Sequence, residues 1–365
     1  MDFQELSVLL TNYPMLIVAI LLVGIVIFVN GWTDAPNAIA SCISTRVISP
    51  KAAILMAAFF NFLGVLSMFF ISKATAETLT NMVDFGSDYS MALNALAAGM
   101  VGVVIYGVLA RYFGIPSSES HALIAGLTGA ALAAMSFGKD ASIPFGIDSG
   151  WVKTIFGLVF SCVFGFVLGF LMTKLIEVLF KKLKRSKANK LFKNLEVLSG
   201  ASMAYAHGAQ DGMKFIGVLF LAIELAAKDY NFNNPSANLA ETISTSNSLW
   251  WLALLVSLIM GFGTSIGGYR IIKKVGMGIV KLEPYHGFAS DFTSSIGIFV
   301  STLFGIPIST TQVKTSSILG VGATKGVKHV NRNVALEMVL TRLFTFPGCG
   351  LIGYIFASIF IAIFA

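Results

Sequence analysis

Two aspartates stand in stretches that are otherwise apolar. Asp34 lies in Asn30-Gly31-Trp32-Thr33-Asp34-Ala35-Pro36-Asn37, and Asp211 lies in His207-Gly208-Ala209-Gln210-Asp211-Gly212-Met213-Lys214. Gly-x-x-Asp therefore recurs at equal offsets. An aspartate inside a membrane span costs about 2.5–3.5 kcal/mol on insertion scales, so it needs compensation. The glycines beside both copies, and Pro36 beside the first, predict breaks in the helix that free backbone carbonyls. A carboxylate, such carbonyls and the side-chain oxygens of Asn30, Thr33, Asn37 and Gln210 would form a hard-oxygen cage suited to a small cation or a proton. The plainer alternative is an aspartate that caps a broken helix or pairs with a basic neighbour. Lys214, one helical turn from Asp211, is such a neighbour.

A second motif also occurs twice. Gly114-Ile115-Pro116-Ser117-Ser118-Glu119-Ser120 lies against Gly305-Ile306-Pro307-Ile308-Ser309-Thr310-Thr311. Proline belongs in the first turn of a helix and Ser/Thr at its N-terminus. Ser117, Ser118 and Ser120, and likewise Ser309, Thr310 and Thr311, are thus expected on the first turns of two helices. Free N–H groups and the positive end of the dipole suit a tetrahedral oxyanion there. Two ordinary capped helices at the membrane surface are the alternative. Gln210 and Lys214 are grouped with the anion set, and Glu119 with the cation set of Asp34, Asn37, Asn30, Thr33 and Asp211. For Lys214 three roles stay open: touching the anion, replacing a cation, or pairing with Asp211.

The elements that must hold these residues are membrane helices. The 365 residues are 56% hydrophobic and only 12% charged, with a mean hydropathy of +0.82. Ordinary globular chains are about 25% charged. Windows without Asp, Glu, Lys or Arg cover 6–33, 52–72, 89–110, 120–138, 154–173, 242–269, 292–313 and 343–365. Three further apolar stretches, 34–50, 197–227 and 314–341, carry charges. A bilayer core needs about 20 apolar helical residues to cross it. The expected fold is an all-α polytopic membrane protein of about 10–12 membrane segments. The first window is too long, and too poor in early Lys/Arg, for a cleaved signal. Residues 292–324 are too few for two full spans and predict a re-entrant hairpin; 89–138 could hold either two spans or a hairpin. Cys42, Cys162 and Cys349 fit neither a disulfide framework nor a thiolate metal site.

The net charge of +7 is read loop by loop. Residues 174–196 carry eight Lys/Arg, and 46–51, 270–291 and 325–332 are also basic, whereas 73–88 and 224–241 are acidic. The positive-inside rule places the basic segments in the cytoplasm and both termini outside. The basic segment 174–196 divides the chain into a first membrane repeat, 1–173, and a second, 197–365. The two Asp motifs then run in opposite directions, as in inverted repeats that meet around a midplane site. Two aspartates, Glu119 and an anion would repel at low dielectric. Bound cations would relieve that repulsion, so anion and cations should load together.

At these four segments the sequence resembles the inorganic phosphate transporter family of sodium- or proton-coupled carriers, over essentially the whole chain. The resemblance implies phosphate at the Ser/Thr helix starts, sodium ions as coupling ions near Asp34 and Asp211, no other cofactor, and a homodimer. The family's Gly-Ala-Asn-Asp pattern stands here as Gly31-Trp32-Thr33-Asp34 and Gly208-Ala209-Gln210-Asp211, with Thr33 and Gln210 in place of Asn. The expected function is inward symport of inorganic phosphate with sodium across the plasma membrane by alternating access, with no nucleic-acid partner. A proton-coupled phosphate or sulfate permease is the alternative, and a passive anion channel a third. An intramembrane serine hydrolase is the remote reading, since Gly263-Thr264-Ser265-Ile266-Gly267 matches Gly-x-Ser-x-Gly with His121 or His207 as base. The same glycines would serve a helix contact, as would Gly165-x-x-x-Gly169. His207 is expected in a structural hydrogen bond, and Arg111 at a membrane interface.

Overall fold

The computed structural model describes residues 3–113, 118–146, 149–233, 249–326, 328 and 330–364. The described residues form fourteen α-helices, one 3-10 turn and a single isolated β-bridge, with no strand. In chain order they are α1 (Phe3–Asn12), α2 (Pro14–Thr33), a 3-10 turn (Ala35–Ile39), α3 (Ala40–Ser44), α4 (Pro50–Ile71), α5 (Ala74–Thr80), α6 (Tyr89–Phe113), α7 (Glu119–Ser136), α8 (Gly150–Leu179), α9 (Arg185–Asn233), α10 (Trp250–Ile266), α11 (Tyr269–Gly278), α12 (Pro284–Leu303), α13 (Thr310–Thr324) and α14 (Arg332–Phe364). Among the described residues, five spans are long and apolar enough to cross a membrane: Pro14–Ser44, Pro50–Ile71, Tyr89–Phe113, Gly150–Leu179 and Asn333–Ile363. Large apolar side chains on them, such as Leu21, Leu55, Val159 and Leu351, are exposed, as a lipid-facing surface requires.

Three boundaries differ from the sequence expectation. The window 6–33 is divided at Tyr13, because Pro14 opens α2 and holds Tyr13 in an extended conformation (φ −123°, ψ 81°). The basic segment 174–196 is mostly helical: α8 runs to Leu179 and α9 starts at Arg185, leaving a turn of five residues between them. The window 242–269 yields α10 from Trp250, and its residues 242–248 lie outside those described.

Two helical hairpins position the centre. In the first, α6 and α7 share a base at which Lys139 Nζ donates to Asp88 at 2.8 Å and Asp84 bridges to Ser142. The hydrogen bond from Lys139 lowers the Asp88 pKa below the usual carboxylate value. In the second, α12 and α13 share a base at which Lys325 Nζ donates to the Lys281 carbonyl at 3.0 Å. The N-caps of the two returning helices, Ser118 of α7 and Ser309 of α13, meet with their hydroxyls 2.8 Å apart. The starts of the two returning helices therefore meet at one interior point, while α6, at 25 residues, is itself long enough to cross a membrane. The second turn is made by Gly305 at φ +67°, where a Cβ would approach the Ala74 carbonyl to 2.8 Å. Thr78 Oγ1 of α5 donates to the Gly305 carbonyl at 2.8 Å and fixes the tip.

Small residues let these helices approach. Gly165 and Gly169 of α8 lie on the backbone of α13 at Val313 and Ser317, so this pair is a helix contact. α7, rich in alanine, packs against both α6 and α14, which also pack on each other.

Candidate ion and anion site

The first Asp motif breaks its helix as expected. α2 ends at Thr33, and Pro36 cannot donate to the ladder, so the chain continues as a 3-10 turn over Ala35–Ile39. The second does not break. α9 runs unbroken for 49 residues through Asp211. It has no proline there, and its glycines serve packing instead: a Cβ on Gly208 would collide with the Asn61 carbonyl of α4, and one on Gly212 with Val65. Asp211 consequently offers its side chain from an intact helix face rather than from a frayed end.

The expected residues converge. Asp34 Oδ1 accepts from Thr311 Oγ1 at 2.7 Å and from Asn37 Nδ2 at 3.3 Å, and its Oδ2 accepts from the Glu119 amide at 3.3 Å. Asp211 Oδ1 accepts from Lys214 Nζ at 2.8 Å and Ser120 Oγ at 3.4 Å, and its Oδ2 accepts from Asn30 Nδ2 at 3.1 Å. Thr33 Oγ1 is 3.3 Å from Glu119 Oε1. Gln210 Nε2 donates to the Ile306 carbonyl at 3.0 Å, and its Oε1 accepts a very short bond from Thr302 Oγ1. Lys214 also donates to the Ile308 carbonyl and to Ser120 Oγ, each at 2.6 Å. The polar face of α9 therefore holds the backbone of the Gly-Ile-Pro turn. Thr310 of α13 is buried beside Thr311, its hydroxyl without a hydrogen-bond partner. Ser117 lies outside the described residues, as do Gly114 to Pro116. Every other candidate is at most 4% exposed, so the centre is closed to both faces.

Two chemical environments lie side by side. On one side are the N-caps Ser118 and Ser309 with the first turns of α7 and α13, an arrangement of donors that suits an anion. On the other side are acceptors in excess. Asn30 Oδ1, Asn37 Oδ1 and Glu119 Oε2 are buried without a hydrogen-bond partner. One ligand atom each from Asp34, His207 and Asp211 lies within 4.8 Å of the others. Buried acceptors lacking donors fit a cation, which supplies what no N–H there does.

His207 was not expected at the centre, although its position four residues before Asp211 puts both on one helix face. Asn61, 2.9 Å from His207 Nδ1, carried no sequence signal. Neither did a second buried group, where Ser41 of α3, Asp291 of α12 and Lys314 of α13 join in one ion-paired cluster. Among the remaining sequence candidates, the Arg111 guanidinium lies 4.8 Å from the Trp32 ring and His121 stacks on Phe346. Ser265 sits in the last turn of α10 with its hydroxyl donating to the Phe262 carbonyl at 2.7 Å, and no strand-to-helix elbow is present among the described residues.

Helices of lipid-facing length around a closed polar centre, with paired acids beside two converging helix starts, define a carrier-type membrane protein. Comparison with known proteins gives the family. The family model described as the phosphate transporter family matches residues 30–353, and the chain belongs to that family, whose members are transporters and not enzymes. It is 35% identical over 328 residues to a "probable low-affinity inorganic phosphate transporter" of Bacillus subtilis (strain 168), covering 90% of this chain and 92% of that one. A protein of the same description from Rhizobium meliloti (strain 1021) is 33% identical, with 93% and 95% covered. A solved structure described as "the sodium-dependent phosphate transporter" superposes with a TM-score of 0.79 at 20% identity, covering 96% of this chain and 100% of the other; it shares the fold.

Proposed function

We propose that this chain carries inorganic phosphate inward by symport with sodium, cycling around the Asp34–Asp211 centre. The observation that carries this reading is the pairing of the two environments: buried acceptors without donors directly beside two helix N-termini whose caps touch. Cations at Asp34 and Asp211 offset the repulsion an anion would meet there, so each stabilises the other's binding. The Ser118 and Ser309 caps and the Thr310 hydroxyl, which has no other partner, receive the phosphate oxygens, while the Ser120 and Thr311 hydroxyls donate to Asp211 and Asp34. Gln210 orders the second hairpin tip. Sodium is favoured because the similar solved structure is described as sodium-dependent. The halves 1–173 and 197–365 act as inverted repeats joined by the cytoplasmic basic segment 174–196, with both termini outside the plasma membrane and two chains forming a homodimer.

The test is uptake of radiolabelled phosphate into proteoliposomes, with a sodium gradient or a pH gradient applied separately. Sodium-dependent uptake that unlabelled sulfate fails to compete supports the reading. Uptake driven by the pH gradient and indifferent to sodium reassigns the coupling ion to the proton. Ser118→Ala and Thr310→Ala should weaken phosphate binding more than sodium binding measured without phosphate. Equal losses of both would remove the division into an anion side and a cation side.

A further inference from the structure

The two Asp motifs differ in charge at one equivalent position. Three residues after Asp34 stands Asn37; three residues after Asp211 stands Lys214. Both reach back to the Oδ1 of their own aspartate, Asn37 at 3.3 Å and Lys214 at 2.8 Å. The Lys214 side chain is 1% exposed, and its ammonium has three partners: Asp211 Oδ1, Ser120 Oγ and the Ile308 carbonyl, at 2.6–2.8 Å. An ammonium has three hydrogens, so no donor is left over. Three oxygens drawn from α9, from α7 and from the second hairpin tip thus enclose one fixed positive charge, in the way a ligand shell encloses a bound cation.

Resting on the symport reading above, we propose that Lys214 permanently fills one of the two cation positions, so that each transport cycle carries a single mobile cation, held between Asp34, Asp211 Oδ2 and His207 Nε2.

A chain of hydrogen bonds shows why His207 belongs to the mobile position. Thr264 Oγ1 donates to the Met260 carbonyl at 2.8 Å, so it accepts from Asn61 Nδ2 at 3.2 Å. That turns Asn61 Oδ1, an acceptor only, toward His207 Nδ1 at 2.9 Å. The imidazole proton therefore sits on Nδ1, and the Nε2 lone pair points at Asp211 Oδ2, 3.4 Å away. This tautomer is assigned from the network. Two opposed lone pairs require a positive charge between them, and the Asp34 carboxylate lies within 4.8 Å of both. Glu119 stands apart from this trio, its carboxylate beside Thr33 and the α6 backbone at Gly107. Asp211 thus faces a fixed cation with Oδ1 and the mobile site with Oδ2.

The measurement is the ratio of sodium to phosphate taken up by proteoliposomes loaded with doubly labelled medium, together with the slope of uptake against sodium concentration. The expected ratio is one for the native chain, with a Hill slope near one. Lys214→Asn restores the residue of the first motif and should raise the ratio to two, with a slope approaching two. Lys214→Arg should keep the ratio at one, at a reduced rate. His207→Asn should raise the sodium concentration for half-maximal uptake about tenfold or more, with a smaller effect on phosphate affinity at saturating sodium. A ratio of two in the native chain would overturn the proposal and leave symport standing, whether or not the variants fold. An unchanged ratio in an active Lys214→Asn protein would overturn it equally. Phosphate uptake without any cation dependence would instead refute the symport reading and this inference with it.

Discussion

At the scale of single residues, the two aspartates face different surroundings, and that separates the effects of identical substitutions. Asp34 receives only neutral donors: a hydroxyl, an amide side chain and a backbone N–H. Asp211 is ion-paired to a lysine as buried as itself. Asp34→Asn removes a cation ligand and strands no opposite charge. Phosphate uptake should fall by about tenfold or more, which corresponds to about 1.4 kcal/mol of lost cation binding. Thermal stability in detergent should not fall. Asp211→Asn leaves the Lys214 ammonium buried without its counter-charge, a change that typically costs about 3–5 kcal/mol. Its melting temperature should drop clearly as uptake is lost. Equal stability losses for the two variants would contradict the environments described. Both acids were legible in the sequence, because a charge that recurs in apolar surroundings must be compensated by something the fold supplies. That Lys214 spends all three of its hydrogens on protein oxygens was not legible. Side-chain direction depends on a tertiary contact, the carbonyl of Ile308, that no local pattern encodes.

At the scale of elements, the second hairpin was legible from length and the Gly-Ile-Pro runs marked both returning helices, while the arrangement of 89–138 and the continuity of α9 were not legible. Glycine is ambiguous in a sequence, since the same residue frees a backbone or lets another helix approach. In α9 the second use prevails, and α4 crosses it at Gly208 closely enough to bring Asn61 to His207. Gly208→Ala should therefore separate α4 from α9 and destabilise the protein by about 1–3 kcal/mol, as overpacking does. A neutral effect on unfolding would mean that the crossing is looser than described. The window 292–313 is bounded by Asp291 and Lys314, 14 residues before and nine after Gly305, an unequal spacing from which their meeting in the folded hairpin was not legible. Their cluster ties α12 and α13 to Ser41 of α3 with all three side chains buried. Lys314→Met alone should cost about 3–5 kcal/mol, because Asp291 is left as a buried unpaired charge. Lys314→Met with Asp291→Leu should recover most of that loss. A double variant no more stable than the single one, in the same unfolding assay, would show that the two side chains do not act as a pair.

At the scale of the whole molecule, the distribution of basic residues and the length of α8 together support the proposed orientation. The base of the first hairpin is acidic overall and lies near the start of α8; the eight Lys/Arg of 174–196 lie at and beyond its end. α8 has 30 residues and so spans about 45 Å at 1.5 Å per residue, more than the roughly 30 Å of a hydrocarbon core. A crossing α8 puts Lys139 and Lys187 on opposite faces, and the proposed orientation keeps the lysine-rich face in the cytoplasm, because carrying its charges across would be opposed by the membrane potential, at about 2.3 kcal/mol per charge per 100 mV. Single cysteines read this directly. Cys42 and Cys349 are buried, and Cys162 is on the exposed side of α8, so Cys162→Ser gives a quiet background. In that background Lys139→Cys should react with a membrane-impermeant maleimide in intact cells, and Lys187→Cys only after the cells are opened. Loss of the Lys139–Asp88 pair is tolerable, since partly exposed pairs contribute about 0–1 kcal/mol. The reverse labelling pattern would invert the molecule in the membrane. Labelling of both positions from the same side would mean that α8 does not cross, and the two hairpins could then no longer reach the Ser118–Ser309 contact from opposite faces.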